Sequence, residues 1–266
     1  MTPILGIVAS SRPAGFNPTS IANCKLWLDA ADTSSITSSA GAVSQWNDKS
    51  GNGYNFVQTT STNKPTTGAD TKNSKNLLTF DGTTDWMQTS AAASAFNFLH
   101  NTSGSTIFYV AAIDSTSDNN WFLDSRNSDA LGGSGYGIVL TINTSGNLTH
   151  NVSNGTGSTT NPVTSVGGGI AANTYYYVAL KSDPNNATAL SRSKYTVNGG
   201  AEDGNNTRTG TPSATNASQA LVLGSQAAGA YETFGGRIGE IIIYSGIISS
   251  GDITLVKNYL AAKWAI

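Results

Sequence analysis

Apolar residues fall in short runs along most of this chain, and only its last stretch carries a helical period. Leu255, Val256, Tyr259, Leu260 and Lys263-Trp264 recur at three- and four-residue spacing, which makes one apolar stripe on a helix. Ser249, Ser250 and Asp252 precede that stripe with oxygens, where unpaired N–H groups and the helix dipole favour them. Just upstream, residues 238–244 are apolar apart from Gly239 and Glu240, rich in β-branched Ile, and closed by Ser245-Gly246. That predicts a strand covered on both faces. The helix is expected to close over a sheet built by everything before it.

Earlier in the chain, residues 24–30, 43–46, 54–58, 77–80, 106–113, 121–124, 136–142, 174–180, 194–197 and 221–224 read as further strands. Turn signals separate them: the run from Asp48 to Gly53, Asp81-Gly82, and Asn198-Gly199, the dipeptide favoured by type I′ hairpins. Residues 91–99 suit a helical turn or two. No period repeats, which excludes propellers and solenoids. The expected fold is all-β: an antiparallel two-sheet jelly-roll sandwich with one C-terminal helix. No Pro- or charge-rich linker divides residues 21–266, so they are taken as one domain.

Residues 1–20 differ. They hold Pro3, Pro13 and Pro18 among small and apolar residues with no clear period, and read as an extended N-terminal arm. Pro3, Ile4, Leu5, Ile7 and Val8 are the residues expected to dock on a partner, by adding backbone hydrogen bonds to a sheet edge. A strap lying on the sandwich itself is the other reading.

Composition narrows the function. Charged residues are 11% of the chain, against ~25% in an ordinary soluble protein. The formal charge is −2 with no Lys/Arg cluster, so phosphate neutralisation, and with it nucleic acid, is excluded as a partner. No apolar run approaches the ~20 residues of a membrane-spanning helix, so membrane insertion is not expected. Cys24 is the only cysteine, and its neighbours Leu26 and Leu28 predict burial. The opening carries no positive region before its brief apolar stretch, so it does not read as a secretory signal. A polar, weakly charged surface without a secretory address suits a particle assembled in the cytoplasm and released by lysis, or a substrate of an unusual secretion system.

Five stretches taken together carry a resemblance: LWLDAADTSSI at 26–36, VSQWNDKSGNGYNFVQ at 43–58, LLTFDGTTDWM at 77–87, FGGRIGEIIIY at 234–244 and LVKNYLAAKW at 255–264. They resemble the concanavalin A-like jelly rolls of the laminin-G type, and more narrowly the variants common in phage structural proteins and bacterial surface proteins. The resemblance spans residues 22–264, with 110–215 matched by strand pattern alone. PILGIVASS at 3–11 is similar to openings of phage virion proteins whose later domains differ. The resemblance implies a non-enzymatic virion structural protein: a capsid decoration, head-fibre or tail-associated component. It would be held to other virion proteins by residues 1–20, display the jelly roll at the virion surface, and form a symmetric homo-oligomer. The alternative it implies is a carbohydrate-binding adhesin on a virion or cell surface, with a host-surface glycan as partner.

Catalytic residues are not expected. Glycoside hydrolysis needs two carboxylates ~5–9 Å apart, and on this fold they sit at alternate positions of one strand. The three glutamates, Glu202, Glu232 and Glu240, have no acidic residue two positions away. Glu240 therefore reads as a hydrogen-bonded structural carboxylate. His100 and His150 lie near Asn/Ser/Thr turns and are expected as surface imidazoles. The glycine-rich stretch 132–137 fits neither a nucleophile elbow nor a phosphate loop. No cofactor is implied. Asp48, Ser50 and Asn52 before Gly53 alternate oxygens as the start of a calcium loop does, but Thr59 stands where the terminal Glu belongs. A turn held by side chain-to-backbone hydrogen bonds is expected there, with Ca²⁺ as the alternative. For sugars, Trp121, Tyr136, Tyr175 and Tyr177 would supply a stacking platform if their parity points them outward. Trp27, Trp46, Trp86 and Trp264 are assigned to the core.

Overall fold

A computed structural model of the chain describes residues 15–126, 135–155, 169–204, 211–229 and 231–266, and the backbone of 163–164. Its described strands pair antiparallel throughout. One layer is centred on the longest strand, Gly235–Ser245. Ser105–Ile113 flanks it on one side, followed by Tyr176–Ser182 and Ser193–Val197. Cys24–Asp29 and Lys75–Asp81 share its other side. The second layer runs from Leu148–Asn154 through Tyr136–Ile142, Asn120–Asp124, Val222–Leu223, Met87–Thr89 and Phe56–Val57 to Ala42–Trp46. The pair Ala42–Thr66 joins that strand to Thr66–Lys72, and so carries the hydrogen bonding round one edge from layer to layer. This is the expected jelly-roll sandwich, with the helix Ser250–Trp264 at its end.

Two apolar layers hold it together. Between the sheets, Leu26, Ile107, Tyr109, Leu180, Ile241 and Ile243 of one layer meet Phe56, Met87, Leu123, Leu140, Val152 and Leu223 of the other. On the outside of the first sheet, Phe108, Val110, Ile242 and Tyr244 pack under Val256, Leu260 and Trp264 of the helix. Side chains alternate faces along a strand. A strand buried on both sides, such as Ser105–Ile113, therefore reads as a continuous apolar run. The helix starts where its capping chemistry predicts: the Asp252 N–H donates to Ser249 Oγ, and that hydroxyl donates to the Asp252 carboxylate. The buried stripe is narrower than expected. Val256, Leu260 and Trp264 form one four-residue row, while Leu255 lies a step round the helix and is 45% exposed.

Gly239 shapes the helix-covered face. Ile238 pairs with Ala111, and Glu240, two residues on, pairs with the next residue, Val110. That β-bulge shifts the alternation by one. Ile238, Ile241 and Ile243 enter the inter-sheet core, while Glu240 and Ile242 turn towards the helix. Without the extra residue Glu240 would share the face of Ile238. A side chain at 239 has no room, because a Cβ there would lie 2.9 Å from the Trp264 ring.

Several expectations need correction. His100 and His150 are buried, at 0% and 1% exposure. His150 occupies an inward position between Leu148 and Val152, opposite Leu140, with Nδ1 2.9 Å from Ser193 Oγ. His100 follows the 3-10 helix Ala93–Leu99 and places Nε2 2.8 Å from the Thr215 carbonyl. Polar neighbours in sequence misled here, because strand alternation and a packed turn set the burial. Trp86 and Cys24 are only half-buried, whereas Trp46 and Trp264 are completely so. Burial still pushes the Cys24 thiol up to about 12, which disfavours the thiolate. The docking residues Pro3, Ile4, Leu5, Ile7 and Val8, and residues 132–134 of the glycine-rich stretch, lie outside the described residues. The end of the arm is tied to the body: Phe16 meets the Tyr259 ring at 5.1 Å, and the Tyr244 hydroxyl donates to the Pro18 carbonyl. Among the described residues, no helix is long and apolar enough to cross a membrane.

Candidate functional site

The bulge brings Glu240 opposite Asp29 on the neighbouring strand, on the side where the helix lies. Trp27 stands two residues before Asp29 on the same face, and Tyr259, Lys263 and Trp264 come down from the last turns of the helix. Glu240 is completely buried. Trp27 Nε1 donates to its Oε1 at 2.8 Å and the Tyr259 hydroxyl at 2.7 Å. Lys263 Nζ donates to Oε2 at 2.8 Å and Trp264 Nε1 at 2.9 Å. Burial pushes the Glu240 carboxyl above its ordinary range, against the pull of the Lys263 ammonium. Burial, with Glu240 beside it, also drives the Tyr259 phenol upward.

Asp29 extends the cluster towards solvent. Its Oδ1 accepts from Lys263 Nζ at 2.6 Å and from the Ala31 N–H at 3.1 Å, and its Oδ2 accepts from Lys49 Nζ at 3.1 Å. Lys49 also reaches Asp32 at 2.7 Å and lies over the Trp27 ring, 4.3 Å from its centroid. Partial burial opposes the charge on Lys49, but Asp32 and Asp29 outweigh it and hold the ammonium above its usual range. The Lys49 bond holds the Asp32 carboxyl below its own.

Over this cluster opens a cleft of about 390 Å³. Phe16 and Tyr259, both half-buried, supply aromatic walls, and Asp29, Lys49, Lys75 and Lys263 supply fixed charges. Glu240 is sealed beneath and cannot touch a ligand, and Asp29 is clamped between two ammonium groups. A second opening of about 290 Å³ is bordered by Asp81, Asp114, Asp118, Asn120 and Glu232, with no aromatic ring lining it among the described residues.

The four aromatic residues expected to stack on sugar do not assemble. Trp121 is on the second layer, 4% exposed, with the Arg126 guanidinium over its ring at 5.7 Å. Tyr136 is half-buried at the end of its strand, its ring so close to Gly155 that a Cβ there would collide with it. Tyr175 and Tyr177 belong to the first layer, on the helix-covered side of the sandwich. Tyr177 is 5% exposed, and Tyr175 has Lys72 over its ring at 5.4 Å. Opposite layers and burial rule out a single platform.

In the proposed calcium loop, Asp48 Oδ1 accepts from the Trp27 and Ser50 N–H groups, and Oδ2 from the Ser50 hydroxyl and the Tyr54 N–H. Asn52 Nδ2 donates to the Cys24 and Lys25 carbonyls. The turn therefore staples itself to the strand Cys24–Asp29. Among the described residues, no group of three His, Cys, Asp or Glu side chains is placed to hold a metal ion.

Sequence reasoning missed the cleft. A signal was present: in a chain poor in charge, Asp29 ends an apolar strand, Glu240 interrupts an isoleucine run and Lys263 sits in an apolar helical stripe. Each is a charge in a place that must bury it, and such charges need one another.

No protein-family model matches the chain, and no curated protein matches it in sequence. Solved structures do match. Domain 4 of AbnA, a GH43 extracellular arabinanase from Geobacillus stearothermophilus in complex with arabinotriose, is 11% identical at a TM-score of 0.58, over 89% of this chain and 99% of that one. The binding domain of Paraclostridial Mosquitocidal Protein 1 is 12% identical at 0.60, over 91% and 52%. Trypanosoma rangeli sialidase in complex with the inhibitor DANA is 14% identical at 0.54, over 87% of this chain and 32% of its own. This chain thus spans about a third of that sialidase's length. At such identities the likeness shows the fold alone, a β-sandwich jelly roll, and none of these three is described as a phage protein.

Proposed function

We propose that this chain is a non-catalytic carbohydrate-recognition module that takes a saccharide into the cleft between Phe16 and the end of the helix. The carrying observation is the pairing of two half-buried rings with clamped charged groups around about 390 Å³ of open space. A pyranose offers an apolar C–H face to a ring and a rim of hydroxyls to fixed polar groups, and a concave site supplies both. The arabinotriose-bound domain of like fold supports the same reading. Binding should appear on a glycan array and in calorimetry with the full chain. Phe16→Ala removes one wall, reaches the Glu240 cluster only through its ring contact with Tyr259, and should weaken binding about tenfold, or ~1.4 kcal/mol. No glycan bound by the full chain, or an unchanged Kd in the variant, would overturn the proposal.

The same module placed on a virion is the second reading, supported by the laminin-G-type resemblance and by the N-terminal segment. That segment reaches the body on its helix-covered side, where Phe16 and Pro18 are fastened. Deleting residues 1–15 should leave the unfolding temperature of the body unchanged and abolish incorporation into particles. Normal incorporation of the shortened chain would defeat it.

A further inference from the structure

Each carboxylate oxygen at the cleft already accepts a hydrogen bond from the chain's own donors. Asp29 is held by Lys263, Lys49 and the Ala31 N–H. Asp32 is held by Lys49 and by both the N–H and the hydroxyl of Ser34. Glu240 accepts four bonds beneath the floor. Two of the three lysines are equally engaged. Lys263 Nζ donates to Asp29, Glu240 and the Tyr259 hydroxyl, and Lys49 bridges Asp29 and Asp32 while lying over Trp27. Lys75 alone among the lining lysines pairs with no carboxylate among the described residues.

The hairpin that carries Lys75 sharpens the point. Lys72 and Lys75 are directly opposed across the strands 66–72 and 75–81, an arrangement that like charges make unfavourable. The turn between them, Asn73-Ser74, has φ of 51° and 57° at both positions, the left-handed pair of a type I′ hairpin. Asn73 Nδ2 donates to the Lys263 carbonyl, tying the hairpin tip to the end of the helix. Lys72 turns to the Tyr175 ring, which leaves Lys75 as the ammonium at the cleft. Its base is fixed, the residue is half-buried, and no carboxylate among the described residues pairs with its ammonium.

We infer that the saccharide this cleft takes is acidic, and that Lys75 reads its carboxylate or sulfate group. The inference rests on the carbohydrate-binding reading above and adds the ligand's class to it. A neutral sugar hydroxyl bonds best where it finds both a donor and a free acceptor. Here every carboxylate oxygen already accepts at least one bond, while Lys75 is left without a carboxylate among the described residues, so the group that matches it best is one that only accepts and carries negative charge.

The test is an array of matched pairs probed with the full chain: uronate oligosaccharides and their methyl esters, sulfated glycans and their desulfated parents, sialylated glycans and their asialo forms. The acidic member should bind at least about tenfold more tightly, with the advantage shrinking as salt is raised. Lys75→Gln should bring the acidic member down to its neutral partner's affinity, and Lys75→Arg should keep the preference. Equal binding of both members, weakened by Phe16→Ala but not by Lys75→Gln, would overturn the acidic-ligand inference and leave the binding reading standing. No binding by any pair would overturn both.

Discussion

Glu240→Ala should destabilise the protein by about 3–5 kcal/mol, the usual cost of removing one partner from a buried ion pair. Four donors would lose their acceptor together: two indole N–H groups, a phenol and an ammonium. Water entering the space left could accept some of these bonds but would not restore the negative charge that Lys263 faces. Lys263 would keep Asp29 but would have lost one of its two compensating charges. Glu240→Gln is the informative companion. It preserves shape and one acceptor oxygen, yet turns an NH₂ towards groups of which only the Tyr259 hydroxyl can accept, and it removes the charge facing Lys263, so it should also be destabilising. Urea unfolding of both variants, with the slope checked for constancy, gives the comparison. A loss below about 1 kcal/mol for Glu240→Ala would mean that the cluster is open to water and contributes as weakly as a surface pair.

The fold was legible because its signals are local. Period-two alternation, two-faced apolar runs such as 106–113 and turn residues such as Asn198-Gly199 each need only a few neighbours to be read. The helix cap at Ser249 and Asp252 is of the same kind. The site was not legible, because it is assembled across the chain: Lys263 reaches Asp29 over a separation of 234 residues. Its central device is one glycine. A strict alternation from Ile238 would place Glu240 on the inter-sheet face, and only the bulge at Gly239 moves it to the helix side, with Ile242. The same limit explains His150, whose neighbours in sequence are polar while its neighbours in space are Leu140 and the inter-sheet core. It explains the tyrosines as well. Tyr175 and Tyr177 share a face by period two, as read, but which layer covers that face was decided by the helix.

The other large effect concerns how the helix is seated. Trp264 is its last residue, fully buried, with its indole ring against the backbone at Gly239 and its Nε1 on Glu240. Trp264→Ala should cost about 3–5 kcal/mol, from the cavity left and the transfer energy lost, and it removes one donor from Glu240 besides. Gly239→Ala attacks the same contact from the other side. The added methyl would sit 2.9 Å from two ring carbons of Trp264, closer than carbon atoms pack, so ring or strand must shift at about 1–3 kcal/mol. The φ of Gly239 lies outside the left-handed region, so space is the expected reason for a glycine here, with the bulge itself as the rival cause. The two causes separate in a double-mutant cycle. If the ring is the obstacle, Gly239→Ala should be nearly neutral in a Trp264→Ala background, giving a coupling of about 1 kcal/mol or more. If the backbone conformation of the bulge is what requires glycine, the substitution should cost the same in both backgrounds, and the steric account of how this helix is locked onto its sheet would fall.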